Sequence, residues 1–230
     1  MHDPVTVESR ALIAGAARLG VALDAAQAAT LSRLLDELAR WNRSYNLTAV
    51  TARGEMLTHH LLDSLSVSAQ LAGTRIADVG TGAGFPGLPL AVVHPQRQFT
   101  LLDSNGKKVR FVAHAARTLG LTNVVALQAR AGEWQPPQPF DTVVARAFAP
   151  LPELVRQVAA LCAPTTRVLA MKGRRDPVER AALPRGWEIE ADLDLQVPGL
   201  GAERHVLMLR PPAAPPAAPP AAPPVAPSSR

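Results

Sequence analysis

The 230-residue chain carries 24 Lys+Arg against 19 Asp+Glu, a formal charge of +5, and is 47% hydrophobic and 19% charged. This balance suits a globular chain and is too apolar for a disordered one. One cysteine, Cys162, excludes an intramolecular disulfide framework and a cysteine-built zinc site, and no charge-free run of about 18 apolar residues is present to span a membrane.

From the N-terminus, His2, Asp3 and Glu8 precede the first apolar stretch, unlike a secretory signal, so a cytoplasmic location is expected. The pattern predicts amphipathic helices from Val7 to Leu19 and from Asp24 to Trp41. Asp24 is the N-cap of the second, and Leu31, Leu34, Leu35 and Leu38 form its stripe. A polar connection leads to a third predicted helix, Glu55 to Leu71. Residues 1–72 are therefore expected to form a helical cap.

The periodicity then changes. Arg75 to Val79 predicts a buried strand, followed by a glycine loop and a helix beginning at Leu88 to Val93. Strands are predicted at Gln98–Leu102, Val124–Gln128, Thr142–Ala145 and Arg167–Met171, with helices at Lys107–Leu119 and Leu151–Leu161 between them. Such alternation predicts a parallel sheet covered on both faces. Trp187–Val197 and Arg204–Leu209, joined by a turn at Pro198–Gly201, predict a closing antiparallel hairpin. Residues 73–210 are thus expected to form an α/β, Rossmann-like sheet of the class I methyltransferase kind, since dinucleotide folds usually close with another crossover. Residues 211–230 hold nine of the 22 prolines and repeat Ala-Ala-Pro-Pro three times. Proline removes backbone donors and fixes φ, so this tail is expected to be an extended spacer whose deletion leaves activity intact.

The sharpest motif is Asp78-Val79-Gly80-Thr81-Gly82-Ala83-Gly84-Phe85-Pro86-Gly87, placed after a strand and before a helix. Glycines there let backbone approach a ligand. Asp103 stands 23 residues beyond Gly80 at the end of the second strand, where a carboxylate accepts both hydroxyl hydrogens of a ribose. Together they point to an adenosine-type nucleoside. The G-x-G-x-x-G spacing of a pyrophosphate site is broken at Phe85, and Asp78 before the first glycine would repel pyrophosphate but suit a cationic amino group. Dinucleotide binding stays open as an alternative.

Taken together, these motifs resemble one family. Trp41-Asn42 with Tyr45-Asn46-Leu47-Thr48, His60 with Leu62-Asp63-Ser64, the glycine loop, Leu101-Leu102-Asp103-Ser104 with Lys107-Lys108, Arg130, Arg146-Ala147-Phe148-Ala149, Lys172-Gly173 and Gly201-Ala202-Glu203-Arg204-His205 occur in its order. The chain is similar to the bacterial ribosomal RNA small subunit methyltransferases G, also called glucose-inhibited division protein B. The resemblance implies methyl transfer from S-adenosylmethionine to N7 of a guanine in 16S rRNA, conventionally numbered 527, within the 30S subunit or an assembly intermediate. It further implies cofactor contacts at Gly80, Phe85, Ala131, Gly132 and Arg146, and agrees with Asp103. The family commonly has an acidic residue where this chain has Gly132; a backbone contact survives that change, whereas a side-chain contact would be lost.

Guanine N7 carries an in-plane lone pair and no proton, so its attack on a sulfonium methyl needs no general base and no metal. Candidate RNA contacts are Lys107, Lys108 and Arg110 after the second strand, Lys172, Arg174 and Arg175 after the fifth, Arg40 and Arg43 beside Trp41, and Arg204 in the last hairpin. The adjacent His59 and His60 make a poor metal pair, and His60 is expected to join the helical cap to the sheet. Cys162, Trp134, Trp187 and Tyr45 are expected to pack, and His205 to form a structural ion pair. Nothing in the pattern requires a dimer, so a monomer is expected. Three other readings stay open: a methyltransferase of another RNA, protein or small molecule, an NAD-dependent oxidoreductase, and a nucleoside-binding module without activity.

Overall fold

The computed structural model describes residues 6–213. The first helix, α1 (Val7–Arg18), is capped by Thr6, whose Oγ1 accepts from the Ser9 amide at 3.0 Å. In α2 (Ala25–Tyr45), Asp24 and Gln27 form a reciprocal capping box, and Asn46 ends the helix in the left-handed conformation. The stripe Leu31, Leu34, Leu35 and Leu38 is buried, as its spacing predicts. Arg53 fastens these helices together: its Nε donates to Glu8 at 2.7 Å and its Nη2 to the Ser32 carbonyl at 3.0 Å.

The third predicted helix is broken. It comprises α3 (Arg53–Met56), a π-helical turn over Leu57–Leu62, α4 (Asp63–Leu65) and a 3₁₀ turn over Ser68–Gln70. Hydroxyls compete with the backbone here: Ser64 Oγ donates to the His60 carbonyl, and Ser66 Oγ to the Asp63 carbonyl at 2.6 Å. A π turn widens the helix by a residue, a distortion typical of functional sites.

The seven strands are β1 (Arg75–Val79), β2 (Gln98–Asp103), β3 (Val124–Gln128), β4 (Phe140–Arg146), β5 (Cys162–Lys172), β6 (Glu188–Asp194) and β7 (His205–Arg210), in the order β3-β2-β1-β4-β5-β7-β6. Strands β1 to β5 pair in parallel, and β7 lies antiparallel between β5 and β6. The closing hairpin therefore forms, but its later strand is the inner one. Its connection is also longer than the expected Pro198–Gly201 turn, because Leu195 and Val197 are buried in the core and draw the chain inward. A short helix, α8 (Pro177–Ala181), capped by Asp176, was not anticipated.

Helices α5 (Gly87–Val93) and α6 (Gly106–Thr118) cover one face of the sheet, and α7 (Leu151–Val158) packs on the other. Leucines of α1, α2 and the broken helix share one apolar cluster with Phe99, Leu101 and Phe111. The N-terminal helices are thus an added layer on that face. Full burial of each such side chain stabilises by about 1.5–3 kcal/mol. Because the chain runs outward from β1 through β2 and β3 and then returns to β4 on the other side of β1, the topology switches there. A crevice opens at the carboxyl ends of β1, β2 and β4.

Candidate active site

The loop after β1 turns on three glycines with positive φ: Gly80 at 66°, Gly82 at 61° and Gly84 at 87°. At Gly80 a side chain is also excluded by contact, since a Cβ would lie 2.1 Å from the Phe148 ring. Asp78 lies beneath the loop, fully buried. Its Oδ2 accepts from Thr81 Oγ1 at 2.6 Å and from the Gly87 amide at 2.8 Å, while Oδ1 has no partner. Burial outweighs those bonds and pushes its pKa up to about 6. Asp78 lines neither cavity of the crevice. The expectation that it faces a cationic amino group is corrected: loop donors have claimed it as an internal brace.

Asp103 ends β2 beside the loop. Its Oδ2 accepts from the Gly82 amide at 2.9 Å and its Oδ1 from the Asn105 amide at 2.8 Å. An ionised carboxylate has about four acceptor sites, so two remain for hydroxyl groups. Asp103 borders a cavity of about 550 Å³ with Gly80, Ala131, Gly132 and Phe148, walled by Glu153 and Gln157 of α7. A second cavity, of about 460 Å³, is bordered by His60, Asp63, Phe85, Arg146, Lys172 and Arg204. The two share Gly80, Lys108 and Ala147. The residues expected at the cofactor are therefore divided: Asp103, Ala131 and Gly132 on one side, Phe85 and Arg146 on the other, with Gly80 between. Ala147 holds φ 48°, an unfavourable conformation for a non-glycine residue and of a kind that gathers at functional sites.

The second cavity is cationic and tightly ordered. His60 stacks on Phe85 with centroids 4.7 Å apart, and the Arg146 guanidinium lies 5.6 Å from the same ring. His60 Nε2 is 3.0 Å from Thr48 Oγ1. Burial, with Arg146 and His59 nearby, pushes the His60 pKa down to about 4, so its ring is neutral. This histidine joins the helical layer to the glycine loop, as expected.

Of the expected RNA contacts, Lys172 bonds Glu179 at 2.8 Å and the Ala149 carbonyl at 2.9 Å. Arg175 pairs with Asp192 and Asp194, and Arg204 with Asp63. Arg40 pairs with Glu37. Lys107, Lys108, Arg110 and Arg174 make no ion pair among the described residues, and Lys108 lies on the rim of both cavities. Sequence reasoning missed Asp63, Phe148, Glu153 and Gln157 as parts of the site. Phe148 and Asp63 stood inside recognised motifs, but their neighbours are remote in sequence and no spacing points to them.

Of the residues expected to pack, Cys162, Trp134 and Trp187 do so, whereas Tyr45 is exposed at the end of α2. Trp41 lies 5.3 Å from Tyr45 and Trp134 lies 6.1 Å from Phe140, centroid to centroid, while Trp187 packs at the core margin. His205 pairs with Asp192 at 2.7 Å. Cys162 opens β5, half-buried, with its thiol pushed up to about 12 by burial. No group of three metal-ligating side chains occurs among the described residues, and no helix among them is long and apolar enough to cross a membrane.

Residues 27–207 match the family described as rRNA small subunit methyltransferase G. Over 193 residues the chain is 48% identical to the ribosomal RNA small subunit methyltransferase G of Nitrosococcus oceani, spanning 84% of this chain and 90% of that protein. The protein of the same name from Alkalilimnicola ehrlichii is 49% identical over 203 residues, 88% of this chain and 92% of its own length. Among solved structures, magnesium protoporphyrin IX methyltransferase from Synechocystis PCC 6803 with bound S-adenosylmethionine shares the fold. Its TM-score is 0.54 at 17% identity, over 76% of this chain and 90% of that one. TrmN from Thermus thermophilus does so with a TM-score of 0.53 at 20% identity, over 67% of this chain and 53% of that one.

Proposed function

The chain belongs to the rRNA small subunit methyltransferase G family, and from that membership we propose that it methylates N7 of guanine 527 in 16S rRNA with S-adenosylmethionine as donor. In this reading the RNA is presented by the 30S subunit or an assembly intermediate, and the protein acts as a cytoplasmic monomer. Family membership sets aside the oxidoreductase and the inactive binding module.

The observation that carries the proposal is the pair of cavities meeting at Gly80. The donor set fits a nucleoside on one side. Asp103 has acceptor capacity left for two ribose hydroxyls, and the backbone at Ala131–Gly132 is open to an adenine edge without needing an acidic side chain at Gly132. On the other side, Phe85 and Arg146 suit an amino-acid end. S-adenosylmethionine, when bound, supplies a sulfonium-activated methyl group.

The chain's own work is then positioning and exclusion of water, which can lower a barrier by about 7–11 kcal/mol. No general base is called for, since N7 has no proton to lose. The second cavity agrees with this: His60 is neutral and held by Thr48 and Phe85, Asp63 is bound by two arginines, and Asp78 is sealed away. Free cations at Lys107, Lys108 and Arg174 suit RNA phosphates, whereas Lys172 and Arg204 shape the cavity through their ion pairs and Arg175 is held against β6.

The test is methyl transfer from labelled S-adenosylmethionine to 30S subunits lacking this modification, with naked 16S rRNA alongside. About one methyl per particle at N7 of guanine 527 is expected. Label at another nucleotide, or none on either substrate, overturns the assignment.

A further inference from the structure

Asp63 is 1% exposed, and its two carboxylate oxygens serve two different arginines. Oδ2 accepts from Arg146 Nη1 at 2.9 Å, and Oδ1 from Arg204 Nε at 3.1 Å. The three residues come from α4, the end of β4 and the residue before β7, so this is the point where the helical layer, the parallel sheet and the closing hairpin meet. Arg146 Nη1 also donates to the His59 carbonyl at 2.8 Å, which uses both hydrogens of that nitrogen. The Nε–Nη2 edge of Arg146 has no partner among the described residues. A guanidinium is a rigid planar fork, so fixing Nη1 fixes the direction of the remaining three N–H groups.

We infer that Asp63 is a positioning residue: by pinning Arg146 it holds the open Nε–Nη2 edge of that guanidinium to receive the carboxylate of the methyl donor's methionine end. This rests on the proposed use of S-adenosylmethionine. A paired N–H edge matches a carboxylate with two parallel bonds. The cavity that Arg146 borders adjoins the nucleoside-sized one through Gly80, so a donor seated in the first reaches the second with its amino-acid end. The charges agree as well. Two guanidiniums against Asp63 leave one positive charge, and an incoming carboxylate cancels it.

Asp63→Asn preserves the shape of the side chain but replaces one acceptor oxygen with an NH2 group carrying two donors, so it can hold only one of the two arginines. Calorimetry on the full chain would compare S-adenosylhomocysteine with methylthioadenosine, which keeps the nucleoside and thioether but lacks the amino-acid group. In Asp63→Asn, S-adenosylhomocysteine binding is expected to weaken about tenfold or more while methylthioadenosine stays within about twofold, the scale set by losing one charge-assisted hydrogen bond. Arg204→Gln, which leaves the Arg146 pair in place, should weaken S-adenosylhomocysteine less. A merely structural role would weaken both ligands in parallel. That outcome, or no change in either, overturns the inference, as does a loss confined to RNA affinity. If the unaltered protein binds neither ligand, it is the donor assignment that fails. Where Asp63→Asn does not fold, Asp63→Glu keeps the charge but displaces it by one methylene, and the same selective loss, about threefold or more, is expected.

Discussion

Two buried titratable residues flank the glycine loop, and their protonation runs in opposite directions. His60 has a folded pKa of about 4 against 6.5 ordinarily, so between those values the unfolded chain binds more protons. Its contribution to stability is full above pH 6.5 and is lost as pH falls toward 4. Asp78 has a folded pKa of about 6 against 3.8, so over nearly the same window the folded chain binds more protons. Its contribution is full below pH 3.8 and is lost as pH rises through 6. Each effect is on the order of 3 kcal/mol, and the two nearly cancel in the intact protein. Single substitutions should separate them. In urea unfolding at pH 4.5, 5.5 and 6.5, Asp78→Asn is expected to gain stability relative to the unaltered protein as pH rises, and His60→Gln to lose it. Parallel pH profiles for all three proteins would contradict this assignment. At this scale, Asp103 was legible because a strand end 23 residues beyond Gly80 is set by the length of one crossover. Asp63 was not, because its partners lie 83 and 141 residues away and only the sheet topology brings them close.

Elements bounded by strong punctuation could be read to the residue. Strand β1 follows Gly73 and ends at Gly80, and β3 follows the Gly120 turn; both match their predicted limits. Strand β5 begins five residues earlier than predicted, because Pro164 and two threonines interrupt its apolar run. Thr166 compensates by donating to the Phe140 carbonyl and accepting from the Ala163 amide, which extends the pairing. The broken third helix was not legible, since leucines at helical spacing look the same whether a π turn intervenes or not. Removing one residue from that turn should expose what it does. A π turn holds one residue more than the α-helical turn it replaces, so deleting Thr58 lets the segment close as a regular α-helix with Met56 kept in the core and Asp63 kept at Arg146. Helical circular dichroism is expected to persist and S-adenosylhomocysteine affinity to stay close to that of the unaltered protein. A drop of about tenfold, the scale of a lost charge-assisted bond, would mean that the π turn itself places Asp63.

Across the whole molecule, the helical layer and the sheet share a core, so neither is a passive support. The predicted tail over residues 211–230 lies outside the described residues from position 214 onward. Its first residues belong to the body: Pro211 is buried, and Pro212 sits against Gly186 beside an apolar cavity of about 920 Å³ that Trp187 also lines. Ending the chain after Ala213 is expected to leave both activity and thermal midpoint unchanged. Ending it after Arg210 should lower the midpoint by about 2–4 °C, equivalent to about 1 kcal/mol for a chain of this size, with methyl transfer at 25 °C retained. Equal midpoints for the two truncations would show that those prolines contribute nothing.

The sheet order has a consequence for how the protein comes into being. β7, made last, occupies an interior place, and the arginine just before it completes the grip on Asp63. While a ribosome is still translating this chain, β5 has a raw edge and β6 has no neighbour to pair with, a state prone to joining other chains. On the proposed function, Arg204 adds the last wall of the second cavity only near the end of synthesis, so a product terminated before it is expected to hold the methyl donor more weakly than the full chain.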